Sequence, residues 1–182
     1  MAAVCVFCAS SRTLERRWLD LAWETGAELG RRGHRLVSGG GRVGMMGAVA
    51  AGARSAGGYT LGIIPQSLVD LEVADGDSDE LLVTDGMSTR KTEMIDKSDA
   101  FLILPGGLGT LDELFEVWTT ATLALHTKPI VLLDVDGFYA GLVDWLRGLV
   151  RPGFVRAAAV DLLTLADTVP GALDAIERCR PE

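Results

Sequence analysis

Short, almost wholly apolar runs alternate along the chain with longer stretches whose apolar residues recur every three or four positions. Ala3–Phe7 is one such run and predicts a first strand. Leu14–Arg31 places Leu14, Trp18, Leu21, Ala22 and Leu29 at helical spacing, with Gly33 as its stop. Arg35–Val37 reads as a second strand running into Ser38-Gly-Gly-Gly41, and Gly44–Ser55 as the helix that follows. Tyr59–Ile64 is a third strand closed by Pro65, whereas the Asp-rich stretch 66–86 reads as loop with little regular structure. Beyond it the pattern predicts helices at Ser88–Lys97, Thr110–Leu125, Phe138–Val150 and Val169–Cys179. Strands are predicted at Ala100–Leu104, Ile130–Leu133 and Leu162–Leu165.

Strand and helix in strict alternation imply right-handed crossovers and an α/β fold with a mostly parallel sheet. Strands that are apolar throughout are expected where helices cover both faces. Ligands of such sheets bind at the carboxyl ends of the strands. Three segments fall there: Ala9-Ser-Ser11, Ser38–Gly47 and Pro105–Thr110. No linker, low-complexity tract or repeat interrupts the 182 residues, so residues 1–182 are expected to form one nucleotide-binding domain.

Composition narrows the partners. A net charge of −8 with acids spread along the chain argues against a broad basic face for nucleic acid, but leaves room for a local phosphate pocket. No apolar run is long enough for a membrane span. The start, Met1-Ala-Ala-Val-Cys-Val-Phe-Cys8, has no basic leader and reads as a strand, so a cytoplasmic protein is expected. An apolar fraction of 48% is rich for a monomer of this size and suggests a subunit interface. Cys5 and Cys8 form a C-x-x-C, yet residues three apart on a strand face opposite ways. The remaining cysteine is Cys179, so a four-thiolate site is excluded and buried free thiols are expected. With His34 and His126 as the only imidazoles, no metal and no cofactor are expected.

The chemistry concentrates in glycine-rich turns. In Leu104-Pro-Gly-Gly-Leu-Gly-Thr110 three glycines join a buried strand to a helix start, whose free N–H groups suit a phosphate. An ordinary tight turn needs fewer glycines. This turn carries neither the Lys-Ser/Thr of a P-loop nor the spacing G-x-G-x-x-G. Thr110-Leu-Asp-Glu113 matches the capping-box pattern, with Thr110 as cap and Glu113 reaching back, although the same carboxylate also lies within a turn of the phosphate site. Gly39-Gly-Gly-Arg-Val-Gly-Met-Met-Gly47 is either close strand–helix packing or a second wall of the same pocket. Arg90 and Lys91 would place two cations in the first turn of a helix, against its dipole, which calls for an anion nearby. Ser10 and Ser11 lack a nucleophile elbow and read as hydroxyl donors to a ligand.

Taken together, Gly39-Gly-Gly-x-x-Gly-Met-Met-Gly47, Met87-x-x-Arg-Lys91 and Pro105-Gly-Gly-x-Gly-Thr-x-x-Glu113 resemble the three signature blocks of the Lonely Guy (LOG) family. Val6-Phe-Cys-Ala-Ser-Ser11 and His126-x-Lys-Pro129 fit as well, and the resemblance runs from about Val4 to the last helix. It implies a Rossmann-like homodimer that hydrolyses the N-glycosidic bond of cytokinin riboside 5′-monophosphates, giving an N6-modified adenine and ribose 5-phosphate. Members have often been labelled lysine decarboxylases, but no lysine context for pyridoxal phosphate is visible here. By the same resemblance Arg90 and Glu113 are the catalytic pair. Ser11, Gly40, Gly41, Glu72, Met87, Lys91, Thr119 and the stretch Gly106, Gly107, Leu108, Gly109, Thr110, Leu111, Asp112 and Glu113 are the substrate-contacting positions. The chain reads Met87-Ser-Thr-Arg-Lys91 where many members have Met-His-Glu-Arg-Lys.

A carboxylate beside the ribose can stabilise the oxocarbenium character of the transition state and orient or deprotonate a water, and Glu113 is the candidate. Arg90 is always protonated and therefore serves electrostatically, either holding phosphate or positioning Glu113 and the leaving base. Two other functions share these residues: a general AMP or purine nucleotide nucleosidase, and a carrier of nucleotide or molybdenum cofactor without turnover. The presence of both Arg90 and Glu113 favours the enzyme.

Overall fold

The computed structural model describes residues 1–71 and 73–179. Its strands are β1 (Ala3–Phe7), β2 (Arg35–Ser38), β3 (Thr60–Pro65), β4 (Glu80–Thr84), β5 (Ala100–Ile103), β6 (Ile130–Leu133) and β7 (Leu163–Ala166). They form one sheet in the order β4-β3-β2-β1-β5-β6-β7, and each pairing is parallel. Val4 faces Leu36 on one side and Ala100 on the other, so β1 sits at the centre.

The apolar runs are explained by this placement. Alternate residues serve two cores: Val4, Val6, Leu36, Leu102 and Val131 face one side, while Cys5, Phe7, Val37, Phe101 and Leu132 face the other. The first core is closed by α1 (Arg16–Arg31), α2 (Gly44–Ser55) and α8 (Val169–Arg178). The second is closed by α4 (Met87–Asp96), α5 (Leu108–Thr122) and α6 (Ala140–Gly148). Phe101, Leu102 and Ile103 are fully buried. Each such side chain contributes roughly 1.5–3 kcal/mol of transfer free energy. The two cores also separate the C-x-x-C cysteines. Cys5 and Cys8 are free, buried thiols in opposite layers, and burial pushes both well above the usual thiol range.

The sequence expectations need correction at four places. Residues 66–86 are not simply loop, because they contain a short helix α3 (Gln66–Val69) and the edge strand β4. Pairing with β3 organises Glu80–Thr84, a tertiary contact that a short run flanked by acids does not announce. A second short helix, α7 (Ala157–Val160), was also not expected; its Ala159 carbonyl accepts from Trp118 Nε1 at 2.6 Å. The proposed capping box is absent. Helix α5 begins at Leu108 with Gly107 as N-cap, so Thr110 is its third residue and Glu113 its sixth. Similarly, α4 starts at Met87, which puts Arg90 and Lys91 in its second turn and weakens the dipole argument made for them.

The chain leaves β1 toward β2 and leaves β5 toward β6, on opposite sides of the sheet. The carboxyl ends of β1 and β5 therefore flank the topological switch point, where parallel sheets of this kind open a crevice.

Candidate active site

A cleft of about 410 Å³ occupies that switch point. Its walls come from the end of β1 (Cys8, Ala9, Ser10, Ser11), the start of α5 (Gly107–Thr110) and the pair Arg90 and Glu113. Met46, Leu68, Met87 and Asp112 complete it.

The wall at α5 is a bare helix start. The amides of Leu108, Gly109 and Thr110 precede the first intrahelical bond, and no side chain among the described residues caps them. A β-carbon on Gly107 or Gly109 would meet nothing within 4 Å, so a ligand can approach this backbone closely. Gly106 is different. A β-carbon there would overlap the Thr110 side chain, which packs against Gly106 and is buried. The preceding strand end is held by Tyr139, whose hydroxyl donates to the Leu104 carbonyl at 2.7 Å.

Opposite stands the ion pair. Arg90 comes from α4, is 5% exposed, and spends its three nitrogens on three elements. Nε donates to the Ile63 carbonyl (3.0 Å), Nη2 to the Gly39 carbonyl (3.3 Å) and Nη1 to Glu113 Oε1 (3.3 Å). Gly39 is the residue that makes this possible, since a β-carbon there would overlap Nη2. The guanidinium is thus fixed as a planar fork between two strand ends and one carboxylate. Burial of Glu113 pushes its carboxyl up to about 7; Arg90 opposes this rise and neighbouring Asp112 adds to it. A carboxylate poised near neutrality in a cleft is the arrangement that acid–base chemistry uses.

The other expected residues are distributed unevenly. Ser11, Met87, Arg90, Gly107, Leu108, Gly109, Thr110, Asp112 and Glu113 converge on the cleft. Gly41 lines an apolar annex of about 230 Å³, with Gly39, Val43, Met46, Ile64, Leu68 and Val73, and this annex shares Ser10, Met46 and Leu68 with the cleft. Gly40 supports the same turn from behind, with a positive φ of 67°. Lys91 does not line the cleft: its ammonium bridges Asp112 (3.0 Å) and Glu116, tying α4 to the first turns of α5. Gly106 and Leu111 also stand behind the lining. Thr119 lies elsewhere, in a separate groove with Phe115, Trp118, Thr122, Phe154 and Arg156. Glu72 lies outside the described residues. Sequence reasoning missed Cys8, Met46 and Leu68 as lining. Cys8 and Met46 stand inside or beside its quoted motifs, whereas Leu68 comes from the segment read as loop.

A parallel sheet clad on both faces, with a glycine-walled cleft at its switch point, defines a Rossmann-like α/β protein. A family model described as "Possible lysine decarboxylase" matches residues 46–176. A Mycobacterium tuberculosis protein named cytokinin riboside 5′-monophosphate phosphoribohydrolase is 51% identical over 178 residues, covering 98% of this chain and 93% of that relative. An Arabidopsis thaliana relative bearing the same activity in its name is 40% identical, over 98% of this chain and 84% of its own length. The molybdenum cofactor binding protein of Rippkaea orientalis superposes with a TM-score of 0.74 at 22% identity, covering 97% of this chain and 95% of that one; at that identity the likeness concerns the fold alone. The chain belongs to the LOG family, the one the lysine decarboxylase description covers.

Proposed function

We propose that the protein hydrolyses the N-glycosidic bond of N6-modified adenosine 5′-monophosphates of the cytokinin riboside type, releasing the free base and ribose 5-phosphate. The observation that carries this reading is the buried Arg90–Glu113 pair, set across one cleft from an uncapped helix start. The dianionic phosphate sits on the amides of Leu108–Thr110. The ribose then lies over Glu113. As the bond to the base lengthens, positive charge grows on the sugar, and the Glu113 carboxylate stabilises it and aligns or deprotonates the attacking water. Three of the five N–H donors of Arg90 are committed to Ile63, Gly39 and Glu113, which fixes the guanidinium against the carboxylate. Its part is to hold the carboxylate in place and oppose its protonation. The apolar annex lined by Val43, Met46, Ile64, Leu68 and Val73 receives an apolar substituent on the base. The expected actors are those lining residues, with no metal or cofactor.

Product analysis tests the reading. AMP, N6-isopentenyl-AMP and the two matching nucleosides are compared side by side. Base and ribose 5-phosphate are expected from the monophosphates, and the nucleosides are expected to be cleaved far more slowly. A nucleoside cleaved as fast as its monophosphate would remove the phosphate subsite from the α5 start.

The protein also acts as a homodimer in this reading. Leu123 and Leu125 at the end of α5, with Trp145 and Phe154, leave large apolar side chains exposed on the side opposite the first core. Light scattering is expected to report twice the 19.3 kDa chain mass or a multiple of that dimer. A monomer at all concentrations contradicts it.

A further inference from the structure

Asp75 is a buried carboxylate, 5% exposed, that the chemistry above does not use. It stands on the segment between α3 and β4, which crosses the glycine turn after β2. There the segment pairs with the turn as a short antiparallel strap. The Arg42 amide donates to the Val73 carbonyl and the Asp75 amide to the Gly40 carbonyl, both at 2.8 Å, with Gly41 opposite Ala74. The Asp75 side chain closes this strap onto α2. Oδ2 accepts from Arg54 Nη1 at 2.8 Å, and the carboxylate also accepts from the Asp77 amide and the Ser78 hydroxyl.

The turn so held has a catalytic neighbour. The Gly39 carbonyl, one residue from the clamped Gly40, accepts from Arg90 Nη2, and Arg90 in turn touches Glu113. Resting on the functional reading above, we propose that Asp75 is a positioning residue: by locking the strap to Arg54 it fixes the Gly39 carbonyl, and through it the Arg90 guanidinium against Glu113. Loosening the lock lets the guanidinium drift from the carboxylate. Arg90 and Lys91 are the cations facing Glu113, and Asp112, Glu116 and the thiols of Cys5 and Cys8 are its other titratable neighbours. Losing the nearer cation raises the proton affinity of Glu113.

Asp75→Asn keeps the shape but removes the charge, and Arg54→Met removes the partner. Asp79→Asn is the control for general loosening, because Asp79 sits on the same segment but binds Thr60 instead. Folded protein is assayed for kcat and KM, and Glu113 is titrated by carbon NMR on protein labelled at its carboxyl. In Asp75→Asn and Arg54→Met, kcat is expected to fall roughly 10- to 10²-fold, the upper figure being the scale of a catalytic group misplaced by about 1 Å, with KM within about twofold. The Glu113 midpoint moves upward in both variants. Arg54→Lys restores most of the rate, and Asp79→Asn leaves rate and midpoint near wild type. An unchanged Glu113 midpoint in folded Asp75→Asn overturns the proposal, as does the same change in Asp79→Asn. If the wild type releases no base while the Glu113 midpoint still moves in Asp75→Asn alone, the functional reading falls and the positioning role stands.

Discussion

Replacing Glu113 by Gln is expected to lower base release by roughly 10²-fold or more while leaving the protein folded, the usual scale for a positioned acid or base. The amide keeps the shape and still accepts from Arg90, but it carries no charge and takes no proton from water. Stability moves in the opposite sense to activity. The folded-state carboxyl titrates near 7, above its ordinary value of 4.5, because it is buried. Between those values the folded protein holds a proton that the unfolded chain has released, so stability from this group is present below about 4.5 and is lost as pH rises through about 7. Gln escapes that loss. The variant is therefore expected to melt higher than wild type at pH 8, with the difference closing toward pH 5. Wild-type activity is expected to rise as pH climbs through about 7, where Glu113 ionises. A Gln variant that releases base at close to the wild-type rate would remove Glu113 from the chemistry.

Arg90→Ala is expected to damage both activity and stability. It leaves the Glu113 carboxylate buried without its cation and takes the donors from the Ile63 and Gly39 carbonyls. Breaking a buried pair from one side costs roughly 3–5 kcal/mol. The cost is largest at pH 8, where Glu113 would be charged, and smaller at pH 5, where a proton neutralises it. Losing one preorganised electrostatic partner of the transition state lowers kcat by roughly 10²–10³-fold. The distribution of the loss separates the two roles the sequence left open for Arg90. If the guanidinium positions Glu113, kcat falls and KM for the monophosphate stays nearly unchanged. A raised KM with kcat intact would make Arg90 a phosphate clamp instead. Thermal melts across pH together with steady-state kinetics on N6-isopentenyl-AMP read both effects.

Periodicity alone determined most of the scaffold, because a parallel sheet covered on both faces demands strands such as Ala100–Ile103 and Ile130–Leu133 with no polar interruption. It also placed Ala9–Ser11 at the carboxyl end of β1 and the two glycine turns at those of β2 and β5, since strand, turn and helix follow one another locally. What periodicity cannot see is pairing with a distant strand. Glu80–Thr84 becomes β4 only because β3 lies beside it, and Leu68 reaches the cleft only because α3 folds back there. The same limit governed the site. T-x-x-E at Thr110–Glu113 fits a capping box equally well on paper, and the start of α5 at Leu108 decides against it. Arg90 and Glu113 are 23 residues apart and were linked only by family resemblance. Their contact, the burial that raises Glu113, and the space that Gly39 leaves for the guanidinium arise when α4, α5 and β2 meet. Local chemistry is written in the order of residues, whereas burial and long-range contact exist only once the chain has closed around them.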